Sequence, residues 1–292
     1  MKFTNIGLIV KQDIDAVAEP ARHIISFLNE KDCTIYYDAS AKDIAGSATD
    51  NIVDREQMGE KCDLVIVIGG DGTFLDAASS IAEAEVPLVG INIGRLGFLV
   101  DVSPKNLSTS LEQIFSGDYT QEKRFLLNAE VLRDNESLFT TDALNDVVIH
   151  LRDIARMMEF ETHINGTYVN HQRADGLIIA TPTGSTAYAL SSGGPLLHPT
   201  LNAITLVPIS PHTLSNRPLV VDSDSEIKVL IYETKLAVAR VTCDGQKSFD
   251  VMKGDIVKIK RQSHLLTLLH PPGYDHYHTL REKLHWSEHP RG

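Results

Sequence analysis

Gly69-Gly70-Asp71-Gly72-Thr73 sets three glycines around a single carboxylate, directly after the apolar run Leu64-Val65-Ile66-Val67-Ile68. Glycines at a strand exit let the backbone turn tightly, and they let phosphate oxygens approach the main-chain amides. A carboxylate in such an anion-binding turn repels phosphate unless it has a task of its own. Two tasks fit Asp71: accepting a proton from an attacking hydroxyl, or holding the metal that accompanies a nucleoside triphosphate. The plain structural alternative is an Asx-type turn that caps the following helix. Gly69, Gly70, Gly72 and Thr73 are the candidate phosphate loop, and Asp71 is the candidate catalytic group.

A second candidate is Asp175-Gly176-Leu177-Ile178-Ile179-Ala180-Thr181-Pro182-Thr183-Gly184-Ser185-Thr186-Ala187-Tyr188, where a strand runs into a turn of small hydroxyl residues. Hydroxyls and free amides suit the edge of a nucleobase, and the Tyr188 ring can lie against its face. Ser191 follows at the end of the short helix. A capped helix start explains the same residues without a ligand. Gly90-Ile91-Asn92-Ile93-Gly94-Arg95-Leu96-Gly97-Phe98 reads as another glycine-rich strand exit, and Asn145-Asp146 precedes the strand Val147 to His150. Arg152, Arg156 and Arg173 are cations in an acidic chain, and on residue type alone they read as surface. No Gly-x-x-x-x-Gly-Lys-[Ser/Thr] is present, and no Gly-x-Gly-x-x-Gly follows the first strand, so Walker-type ATPases and ordinary Rossmann dehydrogenases are disfavoured.

The elements that must position these residues fall into two rhythms. Up to about residue 116, strands (3–10, 34–37, 64–68, 87–91) alternate with helical spacing at 15–28 and 73–83, and Ser103-Pro104 opens a further helix to about Phe115. Strand alternating with helix implies an α/β domain with a parallel, doubly wound sheet. After Gly117 the runs are short and often alternating (125–132, 146–150, 158–164, 177–180, 227–232, 238–243, 256–260), with Asn165-Gly166 and Asp244-Gly245 as hairpin turns. This implies a β-rich C-terminal domain with one short helix near 185–192. The expected division is 1–118, 119–274, and a helical tail 275–292 packing back on the first domain.

Composition bounds the class. With 292 residues, 42% apolar and 23% charged, the chain can bury a sizeable core. A net charge of −12 argues against nucleic-acid binding, which needs a cationic face, yet says little about a nucleotide substrate held by local amides. No apolar window is long enough for a membrane span, and the amino terminus lacks a signal-peptide pattern. Three scattered cysteines, Cys33, Cys62 and Cys243, read as reduced thiols, so a cytoplasmic protein is expected. His285 and His289 would share a helix face, but no carboxylate or thiolate joins them at a ligand spacing.

Five ordered blocks strongly resemble the NAD kinase family: Gly69-Gly70-Asp71-Gly72, Asn92 to Leu99, Asn145-Asp146, Asp175 to Tyr188, and Asp244-Gly245-Gln246. Gly-Gly-Asp-Gly alone is shared with phosphofructokinase and with diacylglycerol and sphingosine kinases, whereas the Asp175–Tyr188 block is far more specific. The resemblance implies transfer of the ATP γ-phosphoryl group to the 2′-hydroxyl of the adenosine ribose of NAD, a divalent metal (normally Mg²⁺), and a homodimer or homotetramer. It assigns Asp71 to the 2′-hydroxyl with Gly72 beside it, and Asn145-Asp146 to a grip on the dinucleotide. Thr183, Thr186, Ala187 and Tyr188 resemble adenine-side contacts with Phe98 as an apolar wall. Asp175 resembles a contact to the nicotinamide end, and Arg156, Arg173 and Gln246 fall at positions expected near the ligand. Two departures stand out: many members carry Glu where Asp146 stands, and some carry Tyr where Leu99 stands.

Two rivals fit parts of the pattern. A kinase for a lipid or sugar phosphate shares the Gly-Gly-Asp-Gly turn, but it does not call for the small-hydroxyl block. A non-catalytic NAD sensor shares the pocket, but it has no use for a carboxylate beside phosphates.

Overall fold

The computed structural model describes residues 3–11, 14–46, 48–94, 96–152, 157–213, 215–233 and 239–286. Two compact units emerge: Met1–Lys123 with Leu266–Gly292, and Arg124–Leu265. In chain order the first unit begins with β1 (Asn5–Val10), α1 (Ile14–Glu30), β2 (Thr34–Tyr37), α2 (Lys42–Ala45), α3 (Arg55–Lys61), β3 (Leu64–Gly69), α4 (Asp71–Ile81), β4 (Leu88–Asn92) and α5 (Leu107–Ser116). Then come β5 (Thr120–Arg133), β6 (Glu136–Ala143), β7 (Asp146–Leu151), β8 (Met158–Ile164), β9 (Thr167–Ala174), β10 (Gly176–Ala180), α6 (Tyr188–Ser191) and β11 (Ala203–Ile209). The chain closes through β12 (Leu219–Asp222), β13 (Ile227–Glu233), β14 (Ala239–Cys243), β15 (Lys247–Val251), β16 (Ile256–His270) and α7 (His276–Leu284).

In the first unit the strands pair in parallel in the order β2-β1-β3-β4. β3 and β4 are buried along their whole length, as expected of parallel strands covered on both faces and of their unbroken apolar runs. Ile6, Leu8, Ile66, Ile68 and Ile91 pack with Val17, Ile24 and Leu28 of α1 and Leu111 and Ile114 of α5 in one core. The register sets Gly69 opposite Asn92, so the two glycine-rich exits leave adjacent strands side by side. α4 begins at Asp71, two residues before the sequence-based start at Thr73, with Gly70 as its N-cap. Ser103 accepts from the Lys105 N–H as expected, but Pro104–Asn106 form a 3-10 turn before α5 starts at Leu107.

The second unit holds a six-stranded antiparallel sheet in the order β12-β11-β10-β7-β14-β15. A second set of antiparallel pairings joins β16 to β13, β13 to β8, and β8 to β9, and β5 pairs with β6. Val147, Ile149, Ile179 and Val241 from the first set share a core with Phe125, Phe160, Val229 and Val257 from the second. At the β8–β9 turn Asn165 and Gly166 both take positive φ, 51° and 77°, the geometry that the Asn-Gly pair favours. Among the described residues no helix is long and apolar enough to cross a membrane.

Candidate active site

The Gly69–Thr73 turn is built by a buried strand that stops where a helix starts. β3 ends at Gly69, Phe74 N–H closes the first helical bond to the Gly70 carbonyl at 3.0 Å, and Gly70 and Gly72 face open space. The first-turn amides of α4 and its dipole favour an anion there. Asp71 is not a free carboxylate in this setting. Its Oδ2 accepts from the Phe98 N–H at 2.9 Å and its Oδ1 from the Leu99 N–H at 3.0 Å. Gly97 makes this approach possible, because a Cβ at that position would stand 2.2 Å from Asp71 Oδ1. The segment after β4 is therefore a clamp for the candidate base, although on residue type it reads as an ordinary turn. Each oxygen keeps a lone pair, so a carboxylate held in one orientation can still accept a proton or a hydroxyl hydrogen bond. Arg95, in the same block, lies outside the described residues.

In the second unit a cavity of about 520 Å³ is lined by Asn145, Asp146, Asp175, Ala187, Tyr188, His150, Asp244 and neighbouring residues. The sheet register explains why they meet. Asp146, the first residue of β7, pairs with Ala180, the last of β10, and Val147 pairs with Cys243, the last of β14. Three strand ends thus release Asn145-Asp146, the Thr181–Tyr188 turn and Asp244-Gly245 at one edge. The turn seats directly on the strand start: Thr181 N–H donates to the Asn145 carbonyl at 2.9 Å, and Thr181 Oγ1 to the Leu144 carbonyl at 2.5 Å. A Cβ on Gly184 would lie 2.1 Å from the Asn145 carbonyl oxygen, so no larger residue fits there.

Asp244 is the hub of this edge. Its carboxylate accepts from the Leu144 and Asn145 N–H groups, both at 2.8 Å, and from the Asp146 N–H at 3.1 Å. Burial pushes the Asp244 carboxyl up, while the three amide bonds favour its ionised form. Burial, and then the Asp244 charge, push the Asp146 carboxyl up to about 7. Two close carboxylates share a titration; we assign the proton to Asp146, which lacks Asp244's amide donors. His150 faces the same cavity, with Nε2 3.2 Å from Thr242 Oγ1 and Nδ1 3.0 Å from the Leu151 carbonyl.

The cavity gathers Asn145, Asp146, Asp175, Ala187 and Tyr188 from the sequence-based set, and Tyr188 leaves 47% of its surface exposed. The other candidates of this unit do not line it. Thr183 is buried with its hydroxyl accepting from Arg124 Nη1 at 2.9 Å, and Thr186 Oγ1 donates to the Thr183 carbonyl at 3.1 Å. Arg173 pairs with Glu159 at 3.0 Å on β8–β9, while Ser191 and Gln246 are exposed. Arg156 lies outside the described residues. Gly69, Gly70, Asp71, Gly72, Thr73 and Phe98 belong to the first unit. Sequence reasoning missed Asp244 as a hub, His150 as a lining residue and the Phe98–Leu99 clamp. Asp244 figured in the sequence only as part of a hairpin turn and of the family-like block Asp244-Gly245-Gln246, neither of which gives it a role as a hub.

The sequence model of the ATP-NAD kinase N-terminal domain matches residues 6–119, and that of the ATP-NAD kinase C-terminal domain matches residues 144–270. The NAD kinase of Nitrosococcus oceani is 48% identical over 284 residues, covering 97% of each chain. That of Cellvibrio japonicus is 46% identical over 292 residues, covering 98% of this chain and 97% of its own. The crystal structure of yeast NADH kinase complexed with NADH superposes with a TM-score of 0.88 at 25% identity, covering 100% of this chain and 90% of the yeast chain. An NAD kinase from Archaeoglobus fulgidus in complex with ATP shares the fold, with a TM-score of 0.74 at 24% identity over 96% of this chain and 99% of its own.

Proposed function

This chain belongs to the ATP-NAD kinase family, and from that premise we propose how its own residues divide the work. The reaction moves the γ-phosphoryl group of ATP to the 2′-hydroxyl of the adenosine ribose of NAD, giving NADP. A ribose hydroxyl is a weak nucleophile, and phosphoryl transfer depends mostly on alignment and charge neutralisation. Asp71 accepts the hydroxyl proton as the oxygen attacks phosphorus and ADP leaves. The observation that carries this assignment is the fixed carboxylate at the head of α4, oriented by the Phe98 and Leu99 amides. The amides of the Gly69–Thr73 loop take donor phosphate oxygens. Asn145 and Asp146 hold the ribose hydroxyls of NAD, Ala187 and Tyr188 border the adenine, Thr183 and Thr186 shape the turn behind them, and Phe98 provides an apolar wall. Asp175 lies toward the nicotinamide end, and Ser191, Arg173 and Gln246 are outer contacts of the ligand.

The divalent metal, Mg²⁺ by preference, is proposed to enter as part of the ATP substrate. Among the described residues no three His, Cys, Asp or Glu side chains converge to hold an ion. Mg²⁺ is bound largely by phosphate oxygens and water in such reactions, which suits delivery on the donor. A homodimer or homotetramer is part of the same proposal, supported by the exposed Leu219 and Val220 on edge strand β12, and sedimentation would read its size. A cytoplasmic location is supported by the odd number and scattered positions of the three cysteines, Cys33, Cys62 and Cys243, and cell fractionation checks it.

Incubation of the purified protein with ATP, Mg²⁺ and NAD, followed by an NADP-specific dehydrogenase assay, tests the reaction. NADP should accumulate in proportion to enzyme and require both substrates. Its absence would refute the reading.

A further inference from the structure

The segment that clamps Asp71 is itself held by the end of the chain, and every contact involved lies within the first unit. Two residues beyond the Leu99 amide, Asp101 places Oδ2 2.9 Å from His270 Nδ1. His270 is 2% exposed, and its Nε2 lies 3.3 Å from Glu122 Oε2, an ion-pair contact on its opposite edge. The Tyr274 ring stacks on the imidazole with centroids 3.9 Å apart and planes 8° apart, fixing the ring's tilt. A second contact from the same stretch reaches the other end of the clamp, where Lys283 Nζ of α7 sits 5.7 Å from the centroid of the Phe98 ring. Burial opposes charge on His270, but Asp101 and Glu122 outweigh it and raise the imidazole's pKa. A buried ion cluster of this kind is weak evidence for stability, since apolar packing serves a core at least as well. Its directional bonds are better suited to fixing a register.

We propose that His270, acting through Asp101, is a positioning residue that fixes the 98–101 segment and with it the orientation of the Asp71 carboxylate. The inference rests on Asp71 being the base assigned above. The Phe98 and Leu99 amides can hold Asp71 only where the backbone at 98–99 is itself held. Main-chain bonds tie the far end of that backbone to β4, from the Asn92 N–H to the Val102 carbonyl at 2.9 Å and from the Val102 N–H to the Gly90 carbonyl at 3.3 Å, and Asp101 on its imidazole is the side-chain anchor between them and the clamp. A displacement of about 1 Å in a reacting group's support is enough to cost ~10²-fold in rate.

The test is a double-mutant cycle on the full chain with His270→Asn and Asp71→Asn, reading kcat, KM for NAD, NAD affinity and the thermal midpoint. His270→Asn should lower kcat by roughly 10- to 100-fold while KM and affinity for NAD stay within about twofold. In the Asp71→Asn background the same change should cost less than about twofold, because the carboxylate it positions is gone. A merely structural role would lower the midpoint without this split or this loss of additivity. A folded His270→Asn with near-wild-type kcat, or a loss that multiplies fully with that of Asp71→Asn, would overturn the inference and leave the base assignment standing. Wild-type turnover in Asp71→Asn would sink both. If His270→Asn does not fold, Asp101→Asn carries the test with the same readouts and the same overturning results.

Discussion

The affinity for NAD should weaken as pH falls, because Asp146 must be ionised to accept hydrogen bonds from ribose hydroxyls. Asp146 is 5% exposed at the start of β7, and burial with the neighbouring Asp244 charge brings its carboxyl up to about 7. A site that binds only through the ionised form loses affinity by the factor 1 + 10^(pKa − pH). That factor is about 11 at pH 6, about 2 at pH 7 and about 1.1 at pH 8, so NAD should bind roughly tenfold more weakly at pH 6 than at pH 8. This corresponds to about 1.4 kcal/mol of binding energy. NAD has no group that titrates in this window. Isothermal titration calorimetry in two buffers of different ionisation enthalpy would give both the affinity and the protons released, about half a proton per NAD at pH 7. Asp146→Asn should remove both the slope and the proton release. An affinity constant within about twofold across the window would refute the reasoning. So would a slope that survives in Asp146→Asn.

Two further substitutions test the edge that forms the cavity. Asp244→Ala removes the acceptor for three backbone N–H groups at 2.8, 2.8 and 3.1 Å. At ~1–3 kcal/mol for each stranded donor, less what water entering the cavity restores, the loss should be about 3 kcal/mol, and a denaturant-unfolding difference under about 1 kcal/mol would refute the hub role. Gly184→Ala drives a Cβ into the Asn145 carbonyl, backbone against backbone, where neither side can rotate away. It should destabilise by about 1–3 kcal/mol and weaken NAD binding more than tenfold as Asn145 and Asp146 shift; unchanged NAD titrations would contradict the seating of the turn on β7.

Much of this architecture is legible in sequence because the signals are local. β1, β3 and β4 are parallel strands buried on both faces, so their apolar runs are unbroken. Asn165-Gly166 and Asp244-Gly245 set their turns by residue type, with positive φ at all four positions. Elements without such signals do not show. The β5–β6 hairpin turns on Asp134-Asn135, also at positive φ but with no glycine, and β6 exposes most of its first half. β11 carries Pro208 inside its run, which reads as a breaker although Pro208 sits opposite Leu177 in the sheet. The candidate site divides the same way. Asp71 stands out by type and spacing and Asn145-Asp146 only through the family resemblance, whereas the Phe98 and Leu99 donors lie 27 and 28 residues away in sequence and Asp244 about a hundred from the amides it holds. Hydroxyls also mislead: Thr183 and Ser185 look available for a base edge but are committed to Arg124 and to the Pro182 and Leu197 backbone.

The central claim is that Asp71 acts on the hydroxyl rather than on the binding of NAD. Steady-state kinetics of Asp71→Asn, paired with an NAD binding isotherm, test it most directly. The account predicts a fall in kcat of ~10²–10⁴-fold with NAD affinity within about twofold of wild type. Wild-type turnover in a folded Asp71→Asn, or a loss confined to NAD affinity, would contradict it.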